Sequence, residues 1–325
     1  MTASRTLAGD ARVTAGTRAR VLRAVDAIGY RRNEMARSLR LGHTSGLVGL
    51  LVTNLRNPFY AELALGIDSV IAPRGQKVVL CHTAAEIETE RRLIGELTTR
   101  RIDGIILAPA GADHAYLAPT LTAGTPVVLI ARPPVGLAAD CVLVDDFGGA
   151  RDATERLLAW GAERIGFLGL PPPVWTSGER LRGFLDAMSG NRGALDPALI
   201  RHHDGNVESA RQAVVAMLRD DRPPDALFCA NGQTTLGAVQ AARETGSDLV
   251  VAGFDDLELA NLVGVRLVLV AYDPQELGRQ AAAKLIQRAQ HVGPLDLPPS
   301  RIVVPTTLVE YGLVSRQGRA DAAGG

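Results

Sequence analysis

The sequence predicts an α/β protein built as two doubly wound parallel-sheet lobes, preceded by a small all-α segment. From residue 47 onward, short β-rich apolar runs alternate with amphipathic stretches at the spacing of βα units. The runs are apolar throughout rather than alternating, which marks strands covered by helices on both faces. The series also divides near Asp146 into two halves of similar plan. The length of 325 residues agrees with two domains, at roughly 150 residues each.

In chain order, Thr14 reads as an N-cap for a helix over Ala15 to Ile28, with Val21, Leu22, Val25 and Ile28 on one face and Gly29 as the stop. A shorter helix follows from Glu34 to Leu41, and His43, Thr44 and Ser45 form a polar linker. The strands expected in the first half are 47–52, 78–81, 104–108, 127–131 and 142–145; those in the second half are 165–169, 226–230, 249–253, 267–271 and 302–309. Helical patterns include 86–101, 148–160, 179–188, 208–220 and 274–290. The C-terminal GRADAAGG carries no pattern and reads as a disordered tail over 316–325. In sheets of this kind ligands bind at the carboxyl ends of strands and in the cleft between lobes.

No apolar run approaches the ~18 residues of a membrane helix, and the N-terminus lacks the ~7–15-residue apolar stretch of a secretory signal. Cys81, Cys141 and Cys229 are odd in number and lie in apolar runs without CxxC spacing. These features predict a cytoplasmic protein with reduced thiols and no membrane partner. Positive and negative side chains balance at 35 each, but residues 1–45 hold nine arginines against three acids. A basic module on an acidic body is the footprint of a phosphate-reading protein, although a solvated basic arm has the same composition.

Residues 13–49, VTAGTRARVLRAVDAIGYRRNEMARSLRLGHTSGLVG, resemble the third head helix and hinge helix of the LacI/GalR family of bacterial transcription regulators, through the pattern G-Y-x-x-N-x-x-A-R-x-L. The likeness continues at Asn57-Pro58-Phe59-Tyr60, Arg101-Ile102-Asp103-Gly104, Arg180-Leu181-Arg182-Gly183-Phe184, Cys229-Ala230-Asn231 and Gly253-Phe254-Asp255-Asp256. It implies a homodimeric repressor whose clamshell core, similar to periplasmic binding proteins, binds a small effector such as a sugar and controls an operator through the hinge. The implied domains are a partial helix-turn-helix head (1–32), a hinge helix and linker (33–45), a first lobe (46–146 and 272–301) and a second lobe (147–271 and 302–315).

By the same resemblance, Leu39 of the hinge helix is a wedge between base pairs, trading unstacking for a bent duplex, or else packs against the core. Ala36 and Arg37 stand beside it in the minor groove, Tyr30 and Asn33 position the head on phosphates, and Ser4 and Arg5 align with the end of the recognition helix. The first head helix and its Gly-Val-Ser turn have no counterpart here, and base readout depends on them. Two readings follow: a start assigned downstream of the true one, or a headless cytosolic sensor without specific DNA binding.

In the clamshell, Phe59 and Tyr60 open a helix after a strand, where one of the two can stack on a ligand face. Arg180 sits where the family anchors its effector, able to donate a bidentate pair, or else is a helix-surface arginine. Asp255 and Asp146 match cleft acceptors, Asn231 a polar contact, Asp256 a helix cap, and Trp175, in the loop 171–177, a stacking wall or a loop anchor. Gly232 stands where sugar-binding members carry an aspartate, so a less hydroxylated or anionic effector on Arg180 is expected. The chain has no GxGxxG after a strand, P-loop, GxSxG or HExxH, and the adjacent His202 and His203 point to opposite faces of a strand. No enzyme activity, cofactor or metal is predicted.

Overall fold

A computed structural model describes residues 2–7, 11–29, 45–171, 174–190, 195–290 and 298–312. The chain divides into two compact units, Met1–Ser45 and Gly46–Gly325. In the first unit, α1 spans Thr2–Leu7 and α2 spans Ala15–Ala27. Thr14 caps α2 as expected, its hydroxyl accepting from the Thr17 N–H at 3.4 Å, and Gly29 takes the left-handed conformation, φ +60°. The apolar face expected on α2 is not covered by the described residues, for Leu22 is 44% and Ile28 75% exposed. The hinge helix expected over 34–41 lies outside the described residues.

The second unit carries two six-stranded sheets. The first contains β1 (Leu47–Val52), β2 (Lys77–His82), β3 (Gly104–Leu107), β4 (Val127–Ile130), β5 (Asp140–Val144) and β11 (Arg301–Val304), in the order β11-β5-β4-β3-β1-β2. The second contains β6 (Ile165–Gly169), β7 (Ile200–His202), β8 (Ala226–Cys229), β9 (Val250–Phe254), β10 (Leu267–Ala271) and β12 (Thr307–Tyr311), in the order β12-β10-β9-β8-β6-β7. Strands such as β3, β4 and β5 are buried at every position, which is why they read as continuous apolar runs.

Two expectations are corrected here. The single strand expected over 302–309 is two strands in different sheets, split at Pro305 and Thr306. Residues 302–304 therefore extend the first lobe beyond the expected boundary at 301, pairing with β5 from Ile302↔Val142 to Val304↔Val144. The second sheet is also not wholly parallel, because β12 runs antiparallel to β10. A parallel return needs a crossover of a dozen or more residues, usually a helix, and β12 arrives from β11 across two residues.

The helices flanking the sheets are α3 (Phe59–Ile71), α4 (Ile87–Thr99), α5 (Ala118–Thr122), α6 (Asp146–Ala159), α7 (Trp175–Ser189), α8 (Val207–Leu218), α9 (Gly232–Thr245) and α10 (Pro274–Gln290). Both lobes contain helix pairs that pack through glycine. A Cβ at Gly66 of α3 would lie 2.1 Å from the Gln275 carbonyl of α10, and one at Gly183 of α7 would lie 2.2 Å from the Phe147 carbonyl of α6. Phe167, Phe184, Phe228 and Phe254 are fully buried in the core of the second lobe. Among the described residues no helix is long and apolar enough to cross a membrane.

Candidate functional site

The main cleft is lined by residues that follow strand carboxyl ends: Thr53 and Asn54 after β1, Ala131 and Arg132 after β4, Asp146 after β5, Leu170 after β6, Asn231 after β8, Asp255 after β9 and Tyr272 after β10. It encloses about 120 Å³. Chain topology alone sets this convergence, since both sheets point their carboxyl ends into the same gap.

Asp146 is the first residue of α6, whose N-cap is Asp145, accepting from the Gly148 N–H at 2.9 Å. Its own carboxylate is 2% exposed and faces Arg180, which is 7% exposed. The Nε and Nη2 of Arg180 both stand 2.7 Å from Asp146 Oδ1, Nη1 donates to the Ala230 carbonyl, and the guanidinium lies 3.6 Å above the Phe254 ring. Asp146 Oδ2 is buried with no hydrogen-bond partner. Burial pushes the Asp146 carboxyl up to about 6, against the pull of Arg180.

Asp255 holds a left-handed backbone, φ +74°, a strained state for a non-glycine residue. Its Oδ2 accepts from the Gly232 N–H at 3.1 Å and its Oδ1 from the Tyr272 hydroxyl at 2.8 Å. The Tyr272 hydroxyl is driven well above its ordinary range by burial and by Asp255, so it remains a donor. Asn231 caps α9, Oδ1 accepting from the Thr234 N–H and hydroxyl, each at 2.9 Å. Phe59 and Tyr60 stack edge to face at 5.0 Å, Phe59 lies 6.1 Å from Tyr272, and the Tyr60 hydroxyl bonds Thr53 Oγ1 at 2.8 Å.

The structure thus brings Phe59, Tyr60, Asp146, Arg180, Asn231 and Asp255 to one cleft and leaves Trp175 off its lining. Trp175 opens α7 rather than sitting in a loop, and packs across the gap on the first lobe's outer apolar cluster of Leu107, Leu129 and Leu143. Arg180 is buried in α7, not a surface side chain, and its charge is already met by Asp146; the expectation that it receives an anion is corrected. Asp256 caps no α-helix and instead accepts from the Tyr311 hydroxyl at 2.8 Å. Sequence reasoning missed Arg132 and Tyr272, whose one shared signal is their place just behind a strand. Ser4 and Arg5 fall in α1, where Arg5 is exposed; Tyr30, Asn33, Ala36, Arg37 and Leu39 lie outside the described residues. His203 is buried, its Nε2 2.8 Å from Thr234 Oγ1, while its neighbour His202 is exposed.

Two α/β lobes joined by three crossings, with polar and aromatic side chains converging between them, define a two-lobed small-molecule-binding protein. Residues 45–297 match the family described as periplasmic binding proteins and sugar binding domain of LacI family. The chain belongs to the LacI family of transcription regulators. It is 31% identical over 293 residues to the ribose operon repressor of Halalkalibacterium halodurans, covering 89% of this chain and 85% of that protein. A complex of the transcriptional regulator CelR with cellobiose is similar in structure, with a TM-score of 0.72 and 28% identity over 94% of this chain and 93% of that one. A LacI family regulator from Silicibacter pomeroyi aligns with a TM-score of 0.79 and 26% identity over 95% of this chain and 93% of that one. The relatives named are transcription regulators.

Proposed function

We propose that this chain is an effector-responsive repressor in which a small hydroxylated molecule occupies the cleft and sets the affinity of residues 1–45 for an operator. The observation that carries this is the convergence of Asp146, Arg180, Asn231 and Asp255 with Phe59 and Tyr60 at facing strand ends. Acceptors and donors fix hydroxyl directions, while the aromatic pair covers an apolar ring face. The named relatives include a ribose operon repressor and a regulator complexed with cellobiose, which favours a sugar or sugar derivative. The cleft, at about 120 Å³, is small beside the ~300–1,000 Å³ of drug-sized ligand sites, so a single ring suits it.

In this reading residues 1–32 contact DNA, residues 33–45 form the hinge, and Ser4, Arg5, Tyr30, Asn33, Ala36, Arg37 and Leu39 face the duplex. Two copies act together, because paired hinge helices support each other on a two-fold operator. The protein then works in the cytoplasm, where its operator is. A ligand can move the operator equilibrium only by the difference in its affinity for the two lobe arrangements. Selection of bound duplexes from a random library, followed by anisotropy titration with candidate effectors, tests this. Enrichment of a two-fold symmetric site, and a tenfold or larger change in its Kd with effector, is expected; failure to enrich any duplex would overturn it.

A further inference from the structure

His203 stands just behind β7 and is buried, and the hydrogens around its ring can be assigned one by one. The Gly205 N–H reaches Nδ1 at 3.2 Å. A backbone amide can only donate, so Nδ1 is the accepting nitrogen and the ring proton sits on Nε2. Ser209 Oγ also lies 3.2 Å from Nδ1, but its own proton is directed to the Asn206 carbonyl at 3.0 Å. Nε2–H therefore donates to Thr234 Oγ1 at 2.8 Å, and the Thr234 hydroxyl donates onward to Asn231 Oδ1 at 2.9 Å. A bare Nε2 would instead draw that hydroxyl proton to itself.

Both ends of this relay reach the cleft, which Gly205 and Asn231 line. Asn231 Oδ1 accepts the Thr234 N–H as well, at 2.9 Å, which settles the end of the amide that faces α9. An asparagine can meet a ligand as donor or as acceptor. Here both recorded bonds fall on the oxygen, and among the described residues Nδ2 has no partner. Thr234 is fully buried, where an unmade hydrogen bond is costly.

We propose that His203 is a positioning residue for effector binding, whose Nδ1 holds the Gly205 N–H and whose Nε2–H turns the Thr234 hydroxyl onto Asn231, leaving the Asn231 amide to the cleft as a donor. This rests on the cleft being the effector site and adds the polarity of one wall. The group selected opposite Asn231 is an acceptor oxygen, from a hydroxyl, ether or carbonyl, and an ammonium is rejected there. The arrangement also responds to acid. A second proton on Nδ1 finds an acceptor in Ser209 Oγ, expelling the Gly205 N–H while the Nε2–H bond survives. Asp204 and the Asn206 carbonyl favour the charged ring and His202 opposes it, and burial outweighs them, holding His203 below its ordinary range. Helices α8 and α9 face the ring with Ser209 and Thr234.

Nuclear magnetic resonance on the full chain, 15N-labelled at histidine, asparagine and glycine, tests this without a ligand. At about pH 8 His203 is expected as the neutral Nε2–H tautomer. The Gly205 amide is expected to titrate with the ring, below the ordinary ~6.5 of histidine, and not to do so in His203→Gln. The Asn231 side-chain amide is expected to move alike in His203→Asn and Thr234→Val, no further in the double variant, and to stay in place in His203→Gln, whose amide reaches the Nε2 position. An Nδ1–H tautomer would overturn the proposal, as would an Asn231 amide indifferent to His203→Asn. A Gly205 titration that persists in His203→Gln belongs to Asp146 and would overturn it too. Tautomer and titration are read on the unsubstituted protein, so a variant that fails to fold leaves the test standing. Calorimetry with D-ribose, D-glucose and cellobiose reads the effect on binding. Any of them that binds is expected to weaken about threefold or more in His203→Asn and Thr234→Val, and less than about twofold in His203→Gln; equal losses in all three would overturn the positioning role. Binding of none would count against the cleft as a sugar site, while the spectra still decide His203.

Discussion

In the first lobe the residue after β4 is Ala131, left-handed at φ +61°, with Arg132 next; in the second the residue after β9 is Asp255, left-handed at φ +74°, with Asp256 next. β4 and β9 occupy the same place in their sheets, third from one edge. The two lobes thus use one backbone device, a strained turn at a strand end, to present opposite charges to a shared gap. They differ in how that charge is met. The second lobe, which Asp146 joins as the first residue of α6, surrounds its acids with partners from α7, α9 and the end of β10, whereas the first leaves its arginine with one long bond. One lobe meets its cleft charges from within, and the other leaves its arginine with a single long hydrogen bond.

Removing a charged group of the cleft should therefore cost stability in the second lobe and little in the first. The largest effect is expected from Asp146→Ala, which leaves the buried Arg180 guanidinium without its counter-ion. A loss of about 3–5 kcal/mol is expected, read as a fall in the urea midpoint. Gly66→Ala and Gly183→Ala come next, one in each lobe. Each drives a methyl into a facing carbonyl at 2.1 or 2.2 Å, and losses of about 1–3 kcal/mol are expected for both. Similar values would show that the lobes share their helix-pair packing; a large difference would break the symmetry at that level.

A pH series sharpens the contrast further. Asp146 has its folded pKa raised to about 6, above the ordinary ~3.9 of an unfolded aspartate. The native state therefore binds this proton more readily, and the group favours folding increasingly as pH falls from about 7 to about 4, the reverse of a salt-bridged surface acid. Asp146→Asn should remove that component, seen as the difference between the two stability profiles over that window. The smallest effect is expected from Arg132→Met, within about 0.5 kcal/mol of the parent, since its only described bond is the one to Ala110 at 3.4 Å. A destabilisation comparable to that of Asp146→Ala would contradict the unequal treatment of charge.

Much of the architecture was legible because buried strands such as LVGLLV at β1 and LVLVA at β10 are apolar on both faces. The run IVVPTTLV was not, since its composition suits one strand and only Pro305 hints at the break. Helix α9 has a faint signature because its buried face is made of Thr234, Thr235, Gly237 and alanines, with Val239 its one large aliphatic. Within the cleft, the residues carried by motif were found, while Arg132 was not. Its place depends on the left-handed turn at Ala131, which periodicity does not record. Trp175 was read as a loop residue because Pro171 to Pro173 precede it, yet its ring joins the two lobes.

That ring offers the most direct test of the central claim, that a ligand bound between the lobes is sensed by both. The chain has two tryptophans, and Trp160 lies apart, with Arg266 3.9 Å above its ring. In a Trp160→Phe protein, Trp175 emission followed during titration with a ligand whose binding is established by calorimetry should change saturably at the calorimetric Kd, and Asp255→Ala should abolish the change. Emission that stays constant while the ligand binds would contradict the account.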